Sequence, residues 1–360
     1  MINITSDKYL SDISSISILT TGESSQSILF KICKDDIKTI LKLMPLQLPH
    51  KYATIMKQSK LTLLQIEQYI EPLTYASFFR EAWLCCFVQE NLRRYTPCFV
   101  NTYNCYLMKG LPASSIDYLR DLIECYNDNH VDLLFMKEWI IALNNPKADT
   151  QIADKIYRSI FGAIDMEEID GTMDDLVIKG KSLDLSLIFE YLYTKIIVAF
   201  VGRIIFVDDH FGNIGYVTVD YAREYNIKCD GISYKFSMTG DKMLKIIDLE
   251  GYIFNRSQSD VFTVVALLDP SGNYWDKSIY QFLSDKVSEA SFADPKEYEI
   301  MLKIFNDRDF GNIKSFPKIM NEYMPDRYRK DPISESVRYD IDLDDNSLRV
   351  ITLDQVLRNN

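Results

Sequence analysis

Phe206-Val207-Asp208-Asp209-His210-Phe211-Gly212-Asn213-Ile214 is followed, after an interval, by Lys245-Ile246-Ile247-Asp248-Leu249-Glu250. An Asp, an Asn five residues later, and a second Asp closing an apolar, strand-like run form a set suited to metal-dependent phosphoryl transfer. One carboxylate orients an attacking hydroxyl; the amide oxygen and the second carboxylate hold Mg2+ against phosphate oxygens. Asp208 is the candidate for the first role, because the five-residue spacing to Asn213 starts from it, and its neighbour Asp209 is the rival. Asn213 and Asp248 are the candidate metal ligands. The competing reading of the first segment is an ordinary solvated Asp-rich turn.

A chain of 360 residues has room for one large domain or two lobes around an ample core. It carries 40 basic against 52 acidic residues, a net charge of −12, which disfavours nonspecific binding to nucleic acid or anionic membranes. The abundant tyrosines read as core and surface aromatics, not as a base-stacking platform. Seven cysteines (Cys33, Cys85, Cys86, Cys98, Cys105, Cys125 and Cys229) include no Cys-x-x-Cys pair, and the three histidines lie far apart, so zinc has little support. An odd, scattered set suits a cytoplasmic or other reducing intracellular compartment. The N-terminus shows no basic segment leading into an apolar signal core. The most apolar run, Ile196 to Val207, is broken by Arg203 and is too short to span a bilayer.

Pattern reading gives a β-rich opening. Ser15 to Thr20, Ser27 to Cys33 and Lys38 to Met44 read as three antiparallel strands, with turns at Gly22-Glu23-Ser24-Ser25 and Lys34-Asp35-Asp36. Leu61 to Ile70 and Tyr75 to Asn91 read as helices, the second with Phe78, Trp83, Phe87 and Val88 on its apolar face. Phe99 to Met108 and Val131 to Met136 read as further strands, and from 151 onward the pattern is mainly helical. Leu183 to Val201 is a long apolar helix, with further helical patterns at 258–268, 276–290 and 296–306. Ile214 to Val219 and Tyr234 to Met238 are expected to form a hairpin before Asp248. The stretch from about Pro325, with Asp340, Asp342, Asp344 and Asp345, reads as a poorly packed acidic tail in which Leu348 to Leu357 could dock.

The two motifs resemble the catalytic loop and metal-binding Asp of the protein-kinase-like superfamily, nearest to its aminoglycoside phosphotransferase and choline kinase branch. There the loop reads His-Gly-Asp-x-His-x-x-Asn and the later segment Ile-Asp-Phe/Trp-Glu. This chain matches at Asp208, His210, Asn213, Asp248 and Glu250, and has Phe206 in place of the leading His. The specific motifs occupy 208–214 and 245–250, within a resemblance over roughly residues 15 to 310. The long insertions are similar in style to divergent kinase-like proteins of large DNA viruses, for which the virion is a second location.

The resemblance implies an α+β, two-lobed kinase-like fold. A nucleotide-binding lobe would span residues 1–143 with a hinge at about 137–143, a catalytic lobe 144–324, and the acidic tail 325–360. It implies ATP between the lobes, Mg2+ on Asn213 and Asp248, and transfer of the γ-phosphoryl group to a hydroxyl oriented by Asp208, on a protein Ser/Thr or a small molecule. His210 would support the loop, and Glu250 would replace the flexible glycine of protein kinases, giving a fixed metal-binding strand. Lys42 stands where the family's third-strand Lys contacts the α- and β-phosphates, with Lys38 and Lys31 as competitors; Glu81 would be its ion-pair partner, with Glu67, Glu71 and Glu90 as alternatives. The phosphate loop would be Thr21 to Ser27, where Gly22, Ser24 and Ser25 let backbone N–H groups approach phosphates. The full Gly-x-x-x-x-Gly-Lys-Ser/Thr pattern is missing, since Gly180-Lys181-Ser182 has Asp175 where the leading glycine would stand, which excludes a Walker-type site. Asn213 and Asp248 stand 35 residues apart, longer than is usual, so an insertion of roughly Asp220 to Lys242 is expected between them. Two rivals remain: a pseudokinase scaffold that uses the fold to bind a partner, and an unrelated α+β interaction protein with a chance motif.

Overall fold

The computed structural model describes residues 3–5, 15–18, 27–34, 36–46, 71–109, 160–180, 182–202, 204–206, 211–249, 252–254, 287–310, 312–330 and 335–348. The chain divides into two compact units, residues 1–86 with 101–168 and residues 87–100 with 169–360.

In the first unit, among the described residues, β1 (Asn3–Thr5), β2 (Ser15–Ile18), β3 (Ile28–Lys34), β4 (Ile37–Pro45), β5 (Thr102–Lys109) and β6 (Ile160–Glu167) form one sheet in the order β1-β5-β6-β4-β3-β2. Apart from the short parallel β1, every pairing is antiparallel. The expected three-strand opening is present as β2-β3-β4. Asp36 turns the chain between β3 and β4 with φ of 64°, a left-handed conformation that Asp tolerates better than most residues. Helix α1 (Glu71–Phe87) begins in this unit.

Opposite residues of an antiparallel ladder share a face of the sheet. Lys42 faces Ile164, Met44 faces Gly162, and Cys105 faces Ile164 from the other side. These side chains therefore project together, and α1 lies on that face, since the Cys105 thiol reaches the Ala82 carbonyl at 4.0 Å. The opposite face, with Phe30, Ile32, Leu41, Leu43, Tyr106, Phe161 and Ala163, is buried as well. A sheet covered on both sides loses polar alternation, which is why Ile160 to Glu167 carries so weak a strand signal. The strand expected at 131–136, the helix at 61–70, the hinge at 137–143 and the boundary near 144 lie outside the described residues.

The second unit starts with β7 (Gly171–Thr172) and α2 (Met173–Lys179), where Thr172 and Asp175 form a reciprocal capping box. Helix α3 (Leu185–Phe200) is buried at every position, as a helix apolar on all sides must be. Asp184 caps it by accepting from the Leu187 N–H at 3.1 Å, and Glu297 accepts from the Leu185 N–H at 3.0 Å. Then come β8 (Ile204–Phe206), β9 (Ile214–Thr218), β10 (Ala222–Cys229), β11 (Ile232–Met238), β12 (Lys242–Ile246) and β13 (Tyr252–Phe254). Helices α4 (Pro295–Phe305) and α5 (Phe316–Tyr323) and strand β14 (Ser336–Asp342) follow.

Three expectations are corrected here. Among the described residues the chain from 151 onward is not mainly helical, since strands β6 to β14 run through it beside the helices. Ile214–Thr218 pairs with Lys242–Ile246, not with Tyr234 to Met238. The latter belongs to β11, which returns on β10 through a two-residue turn at Asp230-Gly231, both with positive φ (52° and 74°). That is the backbone of the tight hairpin turns for which Asp-Gly is a strong signal. The residues between β9 and β12 thus fold as a hairpin of their own, within the expected insertion. Nor is the acidic stretch from 325 a loose tail throughout. Strand β14 adds to β10 in parallel, Ile341 and Leu343 are buried, and the Asp344 carboxylate accepts from the Asp230 and Gly231 N–H groups at 2.9 and 3.0 Å. Alternation of Val337, Tyr339 and Ile341 with Arg338, Asp340 and Asp342 is the strand pattern that the acids obscure. The segments 258–268, 276–286 and 349–357 lie outside the described residues.

Candidate functional site

Lys42 sits in the middle of β4, and its Nζ donates to Glu81 Oε1 on α1 at 2.7 Å. The side chains retain only 8% and 2% exposure. Two charges withdrawn from water this far are stabilised by pairing, and removing either takes from the other, still buried, this charge partner. The alternatives separate cleanly. Lys31 pairs with Glu168, Lys38 is exposed, and Glu90 is exposed on the π-helical turn Val88–Leu92 that follows α1. Glu67 and the Glu71 side chain are outside the described residues.

In the second unit, Asn213 closes a short 3-10 turn, Phe211–Asn213, whose Phe211 is buried and anchors it. The β9–β12 ladder pairs Ile214 with Ile246 and continues one step further, with the Ile247 N–H donating to the Asn213 carbonyl at 3.1 Å. Asp248 is the next residue, so the ladder sets Asn213 opposite Ile247, the residue before Asp248, although 35 positions separate Asn213 from Asp248. Both side chains are half-buried. The other edge of β12 is held too: Ile246 N–H donates to Cys98 O at 2.8 Å, and Val100 N–H to Ile246 O at 3.2 Å. Neighbouring β8 and β13 pair antiparallel, with Phe206 opposite Tyr252. The strand that ends two residues before Asp208 is thereby joined to the one that begins four residues after Asp248.

Gly215 makes this corner possible. A Cβ there would lie 2.6 Å from Ile169 Cδ1, 3.2 Å from the Gly171 carbonyl and 3.3 Å from Ile247 Cγ2. The segment 169–172 lies against β9 as β7, and Asp170 bonds it further, its N–H to Tyr216 O at 2.9 Å and its carboxylate to the Thr218 N–H. Asp208, its rival Asp209, His210, Glu250, Gly22, Ser24 and Ser25 lie outside the described residues.

One network in this unit escapes the sequence patterns altogether. Arg223 on β10 donates to Glu190 of α3 at 2.8 Å, to Gly240 O at 2.7 Å and to Lys242 O at 2.7 Å, and both side chains are fully buried. Glu190 also accepts from the Tyr225 hydroxyl at 2.9 Å and the Leu244 N–H at 2.9 Å. Burial is the largest single influence on Arg223 and opposes its charge, but the Glu190 carboxylate and the neighbouring Tyr225 and Cys98 together outweigh it and the guanidinium pKa is raised. The network clamps the inserted hairpin, the start of β12 and the central helix together.

The amide oxygen of Asn213 and the carboxylate of Asp248 are hard donors, of the kind that Mg2+, Ca2+ and Mn2+ prefer. Among the described residues, Cys229, Asp230 and Asp344 form another group with metal-ligand spacing. There Lys318 and Lys314 already engage Asp230, and Lys314 also engages Asp344. Among the described residues no helix is long and apolar enough to cross a membrane.

No family model and no curated protein matches the sequence. Among solved structures, the chain is similar to a crystal structure of a kinase domain, at 10% sequence identity and a TM-score of 0.33. That alignment covers 68% of this chain and 53% of the other, so this chain spans about half the length of the protein it matches.

Proposed function

We propose that this protein is an ATP- and Mg2+-dependent phosphotransferase of kinase-like build, passing the γ-phosphoryl group to a hydroxyl on a protein Ser/Thr or a small molecule. The observation that carries the reading is the buried Lys42–Glu81 pair, 39 residues apart in sequence and 2.7 Å apart in space. A lysine fixed in mid-strand by a helix carboxylate is a positioned point charge, of the kind that α- and β-phosphates take. The strand order β2-β3-β4-β6-β5 with the Glu81-bearing helix on the Lys42 face supports the same reading, as does the ladder that puts Asn213 opposite the residue before Asp248.

Each residue then has one task. Lys42 neutralises phosphate charge, and Glu81 keeps its ammonium aimed. Asn213 and Asp248 would hold Mg2+, which supplies charge neutralisation at the transferring phosphoryl group. Asp208 accepts the hydrogen bond of the acceptor hydroxyl and takes its proton as the oxygen attacks phosphorus and ADP leaves.

The test is thermal melting of the wild type and of Asp248→Ala over a titration of ATP, with and without Mg2+. A ligand that binds the native state raises the melting temperature in proportion to ln(1 + [L]/Kd). The expected result is a Mg2+-dependent rise in the wild type that Asp248→Ala loses. No rise at millimolar Mg-ATP would overturn the reading and leave a protein-binding scaffold in its place.

A further inference from the structure

The Lys42–Glu81 distance depends on how deeply α1 lies on its sheet, and one position governs that depth. Phe78 stands three residues before Glu81, so the two share a face of α1, and both are fully or almost fully buried. Beneath the Phe78 ring is Gly162 of β6. A Cβ built on Gly162 would come within 2.5 Å of Phe78 Cγ and Cε2, and closer still to Cδ2. No side chain larger than hydrogen fits there without moving the ring, and the clash reaches Cγ, the ring atom bonded to the side chain's own Cβ. Turning the ring about χ2 does not relieve it, because Cγ stays in place; relief takes a new χ1 rotamer in a closely packed site or a shift of the helix.

The surrounding register shows why this matters for the ion pair. Gly162 lies opposite Met44 on β4, and two residues on, Ile164 lies opposite Lys42. Gly162 and Lys42 are therefore close neighbours on one face, flanked by the bulkier Met44, Ile164 and Leu107. Among these larger side chains Gly162 makes a gap, and the Phe78 ring fills it. With the ring seated there, the next turn of α1 brings Glu81 down onto Lys42. Gly162 has no positive φ to explain a glycine, so its lack of a side chain is the relevant property.

We infer that Gly162 and Phe78 form a depth gauge that sets the Lys42–Glu81 pair, with Gly162 a positioning residue for the phosphate-binding lysine. The phosphate-binding part of this inference rests on the function proposed above; the positioning part does not.

The experiment is a double-mutant cycle between Lys42→Met and Glu81→Gln, read by denaturant unfolding in three backgrounds: wild type, Gly162→Ala, and Gly162→Ala with Phe78→Leu. The expected result is a clear coupling in the wild type, its loss in Gly162→Ala, and its partial return when the ring is replaced by the smaller Leu. Mg-ATP melting shifts on the same backgrounds should follow the same order. If Gly162→Ala alone does not fold, the Phe78→Leu combination is expected to restore folding. Undiminished coupling in Gly162→Ala overturns the inference, as does failure of Phe78→Leu to restore coupling or folding. Coupling that behaves as expected with no Mg-ATP shift in any background would sink the proposed function and leave the positioning role standing.

Discussion

Two buried ion pairs, one in each unit, invite comparison. Lys42–Glu81 joins one strand to one helix through a flexible ammonium, a compact charge on a long stem. Arg223–Glu190 is a planar, many-armed junction in which the guanidinium serves a carboxylate and the backbone carbonyls of Gly240 and Lys242, and the carboxylate serves Tyr225 and Leu244. Arg is the residue for fixing several partners at once, Lys the one for presenting a single movable charge. The difference teaches that burial and pairing alone do not mark a working site. The second network holds an inserted hairpin in place, while the first is the pair proposed to set a charge against phosphate.

The largest effect that would break this contrast is expected at Arg223. Arg223→Met takes from buried Glu190 its charge partner and withdraws a donor from three backbone carbonyls, so chemical denaturation should show a loss of about 3–5 kcal/mol or outright unfolding. What remains folded should still show the full Mg-ATP melting shift. Lys42→Met should cost less, about 3 kcal/mol, because its apolar stem is replaced in kind while Glu81 loses this charge partner. Unlike Arg223→Met, it should abolish the Mg-ATP shift of the folded protein. Asp248→Ala, at a half-buried position, should change stability by less than about 1 kcal/mol while removing the Mg2+ dependence of ATP binding.

The smallest effect sharpens the picture of the inserted hairpin. Asp344 accepts from the Gly231 and Asp230 N–H groups, and those bonds depress its pKa. A carboxyl depressed on folding stabilises the protein at pH above its unfolded value, and that contribution is lost as pH falls through the lower folded value. Acid titration of stability should therefore show a shallower decline below about pH 4 in Asp344→Ala than in the wild type, with Mg-ATP binding at neutral pH unchanged. An identical acid limb in the two proteins would mean that the turn does not depend on this cap.

How much of this was legible beforehand follows from which signals are local. Lys42 and Glu81 are paired in advance only through the kinase-like resemblance, since pattern places them on a strand and a helix but does not choose them over Lys31, Lys38, Glu67, Glu71 or Glu90. Motif spacing singles out Asn213 and Asp248, yet it does not identify the strand that pairs with β9, because two later strand-like runs compete and only the ladder selects between them. The Asp230-Gly231 turn was a readable signal that would have decided it. Strand β6 was hidden for a different reason: buried on both faces, it shows no alternation, and its sheet partners stand far away in sequence. Arg223 and Gly162 could not be found at all. A buried arginine in a strand and a glycine under a ring acquire meaning only from elements brought to them by the fold.

The most direct measurement is calorimetric titration of ATP with Mg2+ into the wild type, Lys42→Met and Arg223→Met, each verified as folded. The account predicts binding to the wild type and to Arg223→Met with similar affinity, and a loss of at least about tenfold in Lys42→Met, equivalent to about 1.4 kcal/mol. Equal affinity in the wild type and Lys42→Met would contradict it, because the buried lysine would then be only one more structural pair.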